Sequence, residues 1–381
     1  MKKVIIATNQ MIRGGVEIAL ISMLKAMNMT QIDVTVLLMR RGGALEKRIP
    51  STVRVIYVDE LGDPKGYIKG LAVHGHPVRA LQKTWCFYRS IKAKSYWDEN
   101  SLLAEFLPAM QDEYDVAIAY HAPGTLPVHY VLHNIVAKNK VLWIHGDVEK
   151  AKSTGEKYRQ IFMRYDRIVC VSKDAENVFI KFFPELKQKC QTVHNIIDTE
   201  YIDKAIQEPE SERYSICTVA RLSPEKGIDL AIEACARLIH KYPDIRWCVC
   251  GGGPEEGKLL KRIEDNKLKG HFLLLGDQDN PYKYIMASEI FVQPSIHEGC
   301  SVALGEARYL CKPIVTTCTT GARDQLIDGV NGTIVGINAQ EIADAVDEML
   351  ANSELRNKYV SNLRQSKFNG DCESIMRAIQ F

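Results

Sequence analysis

The chain has no apolar run close to the roughly twenty residues that a bilayer-spanning helix needs. Its basic start, Met1-Lys2-Lys3, leads only into Val4-Ile5-Ile6-Ala7 before Asn9, Gln10 and Arg13 interrupt. An export signal is therefore not expected, and Val4 to Ala7 reads as the first strand of a fold. An excess of one charge is missing too: 49 Lys and Arg against 47 Asp and Glu leave +2, no electrostatic footprint for a nucleic-acid partner. The 11 cysteines show no zinc-ligand spacing, and many stand inside strand-like apolar runs, so they read as reduced, buried thiols of a cytosolic protein. The glycine run Gly251-Gly252-Gly253 lacks the third glycine of a G-x-G-x-x-G fingerprint, which makes a dinucleotide site a weak reading.

What is present is 381 residues, 46% hydrophobic and 25% charged, enough for two globular domains. Strand-length apolar runs occur at 4–7, 34–39, 53–58, 116–120, 141–144 and 168–171, with helical patterns between several of them. A second series follows at 216–219, 247–250, 272–275, 290–292 and 313–316. Such alternation implies parallel sheets with crossover helices, in two sets. The expected division is an N-terminal domain over 1–198, completed by 364–381, a linker over 199–214 and a C-terminal domain over 215–363. The linker is placed where the chain is charged and strand-free, with Pro209 between two glutamates. Two doubly wound domains of this kind would face each other, with the ligand in the crevice at the carboxyl ends of their strands.

The chemistry-bearing residues cluster at those strand ends. Glu298 and Glu306 bracket Gly299-Cys300-Ser301-Val302-Ala303-Leu304-Gly305 just after a strand that stops at Pro294. A helix starting near Ser301 would offer the backbone N–H groups of Gly299 to Val302 to an anion, with carboxylates on either side for hydroxyls. An isolated pair of glutamates at this spacing is commonplace, and the neighbouring motifs are what give it weight. Arg221 and Lys226 sit on Arg221-Leu222-Ser223-Pro224-Glu225-Lys226-Gly227, a turn after a strand, and two cations there can converge on one polyanion. Near the N-terminus, Arg13-Gly14-Gly15-Val16-Glu17 opens a helix with two glycines that permit close backbone approach, although a plain glycine turn would look the same.

These motifs, with Gly251 to Glu255, Leu275-Gly276, Asn280-Pro281-Tyr282, Pro294-Ser295-Ile296-His297-Glu298-Gly299 and Glu306-Ala307, together resemble family 4 glycosyltransferases (group 1), retaining enzymes of the α/β GT-B fold. The similarity is strongest over about 215–335, with weaker support from Gly14 to Glu17 and Trp143-Ile144-His145-Gly146-Asp147. The resemblance implies roles. Arg221 and Lys226 would hold the donor's diphosphate and stabilise charge on the leaving nucleotide, Glu306 would accept from ribose hydroxyls, and Glu298 would face the donor sugar. His145 would reach the transferred sugar. Gly14 and Gly15 would present N–H groups to the diphosphate or the acceptor, and Gly299, Cys300, Ser301 and Val302 would bind the donor from the other lobe. It also implies a UDP-linked sugar donor, a lipid-linked or saccharide acceptor in capsule or exopolysaccharide synthesis, and no metal or other cofactor.

Asp277-Gln278-Asp279 invites a manganese site, but cations already available for the diphosphate favour reading the aspartates as loop residues. From Pro64 to Trp97 there are seven cations and no acid, interleaved with Tyr67, Trp85, Phe87, Tyr88, Tyr96 and Trp97. That composition suits an anionic membrane surface, with Lys83, Arg89, Lys92 and Lys94 at the leaflet and Trp85, Phe87 and Tyr88 inserted, which would make the enzyme peripheral at the inner face of the cell membrane. A solvated helix with buried aromatics is the competing reading, and RNA finds no fold signature. Two further functions remain open from sequence: a nucleotide-sugar epimerase or phosphorylase on the same fold, and a non-catalytic sugar-binding protein.

Overall fold

A computed structural model describes residues 1–27, 29–146, 155–366 and 372–379. The chain forms two units, 1–196 with the C-terminal helix Cys372–Ile379, and 197–370.

The first unit is built on β1 (Lys2–Thr8), β2 (Ile32–Leu38), β3 (Arg54–Tyr57), β4 (Glu113–Tyr120), β5 (Val136–Ile144), β6 (Arg167–Cys170) and β7 (Cys190–Thr192), all parallel, in the order β3-β2-β1-β4-β5-β6-β7. Helices cover both faces, so Val4, Ile5, Ile6 and Ala7 are all buried and the strand reads as a continuous apolar run. The second unit has β8 (Tyr214–Val219), β9 (Trp247–Cys250), β10 (Phe272–Leu274), β11 (Ser288–Gln293), β12 (Ile314–Thr317) and β13 (Thr333–Val335), again parallel, in the order β10-β9-β8-β11-β12-β13. One buried chain of hydrogen bonds ties its centre together. The Trp247 indole N–H donates to Thr218 Oγ1 at 3.0 Å, and Thr218 donates to the Val292 carbonyl at 2.8 Å.

In both sheets the chain runs outward from a central strand to one edge and then returns to build the other side. The reversal falls between β1 and β4 in the first unit and between β8 and β11 in the second. At such switch points the two loops leaving the carboxyl ends diverge and leave room for a ligand.

Two strands go beyond the sequence expectation. β7 and β13 are three-residue edge strands with one partner each, too short to carry a period. The segment 199–214, expected as a linker, belongs to the second unit instead. It contains the helix Thr199–Ala205, held there when Asn280 Nδ2 donates to the Ala205 carbonyl at 2.7 Å and Tyr309 Oη to Asp203 Oδ1 at 2.8 Å. Of the C-terminal residues expected to complete the first domain, 364 and 365 end the helix Ser353–Gln365 of the second unit.

The basic segment folds as the helices Pro64–Val73 and Pro77–Ile91, followed by Tyr96–Phe106. Two of its residues depart from the expected placement at a leaflet. The Lys83 ammonium donates to the carbonyls of Glu105 at 2.6 Å and Leu107 at 3.0 Å, satisfying acceptors at a helix C-terminus, and Phe87 packs on Phe106 with ring centroids 5.1 Å apart. Among the described residues, no helix is long and apolar enough to cross a membrane.

Candidate active site

The second-unit site grows from the ends of β8 and β11. Pro294 cannot donate to a ladder and stops β11, after which the chain turns through 294–300 to Ser301. Ser301 caps the helix Val302–Tyr309 by accepting from the Leu304 N–H at 3.2 Å, the start expected from sequence. On the facing loop, Pro224–Lys226 forms a short 3-10 turn and Gly227 takes φ 62°, the left-handed conformation that lets the helix Ile228–Leu238 begin at once. The loops are stitched together by Glu225, whose carbonyl accepts from the N–H groups of Ile296 at 2.8 Å and His297 at 3.2 Å.

This scaffold brings Lys226 and Glu298 together, 72 positions apart in the chain, with Lys226 Nζ donating to Glu298 Oε1 at 2.5 Å. The same oxygen accepts from Ser295 Oγ at 3.2 Å and Gln293 Nε2 at 3.5 Å, and Gln293 also donates to Ser295 Oγ at 2.7 Å. Both side chains of the ion pair are largely buried, so the carboxylate is held by a cation and neutral donors rather than left to solvent. Glu306 is buried on the helix Val302–Tyr309 and accepts from Tyr282 Oη at 2.8 Å. Arg221 lies exposed on the loop after β8, and Gly299 and Cys300 belong to the turn before Ser301. Gln293, Ser295 and Tyr282 are supporting residues to which the sequence reading assigns no role. A glutamine at the end of the apolar run Ile290-Phe291-Val292 and a tyrosine inside the Asn280-Pro281-Tyr282 motif are the signals that point to two of them.

Asp277 serves the loop structure, because its Oδ1 accepts from the Gly252 N–H at 2.7 Å and so holds the glycine loop after β9. That loop runs close to its neighbours, since a Cβ on Gly251 or Gly253 would overlap the carbonyl oxygens of Ala220 and Leu222 respectively. Among the described residues there is no group of three or more His, Cys, Asp or Glu side chains arranged to hold a metal ion.

In the first unit, Gly14 precedes the helix Gly15–Ala26 after β1, and His145 follows β5. The His145 ring lies 4.2 Å from the Tyr120 ring, and its buried Nε2 has no partner among the described residues. Burial and the neighbouring His121 push its pKa down to about 3, so the imidazole is neutral at neutral pH and can meet a hydroxyl without bringing charge. Asp147, quoted with it in the sequence motif, lies outside the described residues. Burial likewise lowers His121 and His129 to about 4. All three favour the proton-free form in the fold, whereas the unfolded chain takes up protons below about 6.5. The first unit is therefore expected to lose stability steadily as pH falls from about 6.5 to about 4. Thermal melts across this range check it, and a melting temperature independent of pH there would mean these rings titrate normally.

A model of the group 1 glycosyl transferases matches residues 199–366, and one of glycosyltransferase family 4 matches 13–201. The chain belongs to the group 1, family 4 glycosyltransferases. An uncharacterised glycosyltransferase of Methanocaldococcus jannaschii is 24% identical over 72% of this chain and 79% of its own length. The N-acetylgalactosamine-N,N'-diacetylbacillosaminyl-diphospho-undecaprenol 4-alpha-N-acetylgalactosaminyltransferase of Campylobacter jejuni is 31% identical over 52% of this chain and 54% of its own length. The chain thus spans about half of that relative. Among solved structures, a TarM mutant of S. aureus in complex with fondaparinux, alpha-GlcNAc-glycerol and UDP superposes with a TM-score of 0.72 at 16% identity, covering 99% of both chains. Anabaena HepE in complex with UDP-glucose gives 0.71 at 17% identity, covering all of this chain and 98% of that one. These likenesses establish the GT-B fold of the transferase.

Proposed function

We propose that this transferase moves a hexose from a UDP-linked donor to a lipid-linked or saccharide acceptor in cell-surface polysaccharide synthesis, with retention of configuration and without a metal. The observation that carries the reading is the largely buried Lys226–Glu298 pair at the β8/β11 switch point, with Glu306 held on the helix that follows. In the reaction the bond from the anomeric carbon to the phosphate oxygen breaks and UDP leaves with the electron pair. The acceptor oxygen bonds to that carbon and its proton passes to the leaving phosphate. Lys226 and Arg221 supply positive charge where the diphosphate gains negative charge, as a divalent ion does in other transferases. Glu298 has Oε1 occupied by Lys226, Ser295 and Gln293, which leaves Oε2 to accept from a sugar hydroxyl. Glu306, oriented by Tyr282, suits the ribose hydroxyls, and neutral His145 suits a hydroxyl of the transferred sugar.

Support for the donor comes from the solved neighbours that contain UDP or UDP-glucose, and support for the acceptor from the Campylobacter relative, whose name specifies a diphospho-undecaprenol substrate and an alpha product. An α-linked donor giving an α-linked product retains configuration. Glu306→Gln keeps the side chain's size but removes a charged acceptor, so it is expected to weaken UDP binding by about 1.5–3 kcal/mol in calorimetry. Wild-type UDP affinity in this variant, or transfer abolished by EDTA and restored by manganese, would overturn the assignment.

A further inference from the structure

The helix Pro77–Ile91 has two faces of different character. Ala80 and Ser90 are buried, Phe87 packs on Phe106, and Lys83 reaches inward to helix-end carbonyls. On the other side, Val78, Leu81, Trp85 and Tyr88 recur at intervals of three, four and three residues, which places them within an arc of about 80°. They are 67%, 72%, 60% and 54% exposed, a run of large apolar side chains that water-facing surfaces seldom display. Cations frame the stripe. The Arg89 guanidinium lies 4.3 Å over the Trp85 ring and Lys92 Nζ 4.5 Å from the Tyr88 centroid, with Lys94 also exposed. No acidic residue occurs from 64 to 97.

We propose that this face docks the chain on an anionic lipid bilayer, with Leu81, Trp85 and Tyr88 entering the headgroup region and Arg89, Lys92 and Lys94 meeting lipid phosphates. It deepens, and rests on, the reading of the acceptor as lipid-linked. Charge decides the occupant. A second copy of this chain would set one all-cationic border against another, whereas an anionic leaflet complements it over the whole stripe. Trp and Tyr, apolar with a polar edge, are the aromatics suited to the boundary between headgroups and acyl chains. Lys83 and Phe87 take no part, because their tips are committed to the fold.

Flotation of the full chain with vesicles of phosphatidylcholine plus phosphatidylglycerol tests the surface, with pure phosphatidylcholine as reference. The wild type is expected to float with the mixed vesicles and to be released by salt. Each cation at an anionic leaflet strengthens partitioning by about fivefold, so changing Arg89, Lys92 and Lys94 to Gln is expected to weaken binding by at least about tenfold. The double change Leu81→Ser with Trp85→Ser is expected to weaken it comparably while leaving UDP affinity and the melting temperature unchanged, since both side chains are exposed. The wild type's tryptophan emission is expected to shift to shorter wavelength on mixed vesicles and to lose that shift in Trp85→Phe, because Trp143 and Trp247 are already buried and Trp97 is packed against His129 and Tyr158. No flotation at low salt, flotation unaffected by either set of changes, or a dimer in solution that the Leu81 and Trp85 changes dissociate would each overturn the proposal. Failure of flotation with UDP binding intact rejects this surface alone, whereas failure to bind UDP or transfer sugar rejects the functional reading beneath it.

Discussion

Replacing Lys226 by alanine is expected to lower the transfer rate by about a hundredfold or more while weakening UDP binding far less. The asymmetry follows from where charge develops. In the bound donor the diphosphate shares its oxygen with the sugar. As the bond to the anomeric carbon stretches, that oxygen acquires a further charge, and a cation held in place gains interaction energy without having to reorganise. Lys226 is held in place: its Nζ is 2.5 Å from Glu298 Oε1, and Glu298 is steadied by Ser295 and Gln293. Alanine removes the cation and leaves a largely buried carboxylate without its counter-charge, so a moderate fall in stability accompanies the rate effect. Single-turnover rates with saturating donor separate the two, and a rate unchanged in a variant that melts like the wild type would remove Lys226 from the chemistry.

Gly227→Ala is expected to destabilise the second unit by about 2–4 kcal/mol in urea unfolding. Two independent costs combine at this residue. A φ of 62° is unfavourable for any side chain with a Cβ, and the added methyl would overlap the carbonyl oxygen of Pro294. Relief requires the Pro224–Lys226 turn to move away from the loop after β11, which breaks the bonds from Ile296 and His297 to the Glu225 carbonyl. Lys226 and Glu298 then separate, so whatever Gly227→Ala protein remains folded should also transfer sugar more slowly. Wild-type stability in this variant would show that neither the turn conformation nor its contact with Pro294 matters in solution.

Several elements are legible in the chain because their physical signature is local. The central strands are covered on both faces and appear as apolar runs, and the Ser301 cap, the Pro294 stop and the glycine turns each act through their own backbone chemistry. The edge strands β7 and β13 are not legible. Three residues with one partner owe their conformation to that partner: nothing in Cys190-Gln191-Thr192 demands extension, and the β-branched Thr333-Ile334-Val335 favours it but is too short to mark a strand without its neighbour. The helix Thr199–Ala205 reads as part of a linker because its charged composition resembles one. What holds it is distant in sequence, Asn280 and Tyr309.

By itself, then, the sequence determined two parallel α/β series, the family, and the grouping of glycines, cations and carboxylates just past the carboxyl ends of strands. Only the tertiary structure decided how those groups are used. Strand order set β8 beside β11, and so brought Lys226 onto Glu298 and made Gln293 and Ser295 its supports. Packing turned Lys83 and Phe87 inward while leaving Trp85 and Tyr88 outside, although all four share one basic, aromatic segment. The reason is the same in each case: composition and period report what a segment is able to bury, but the partner that covers it lies elsewhere in the chain.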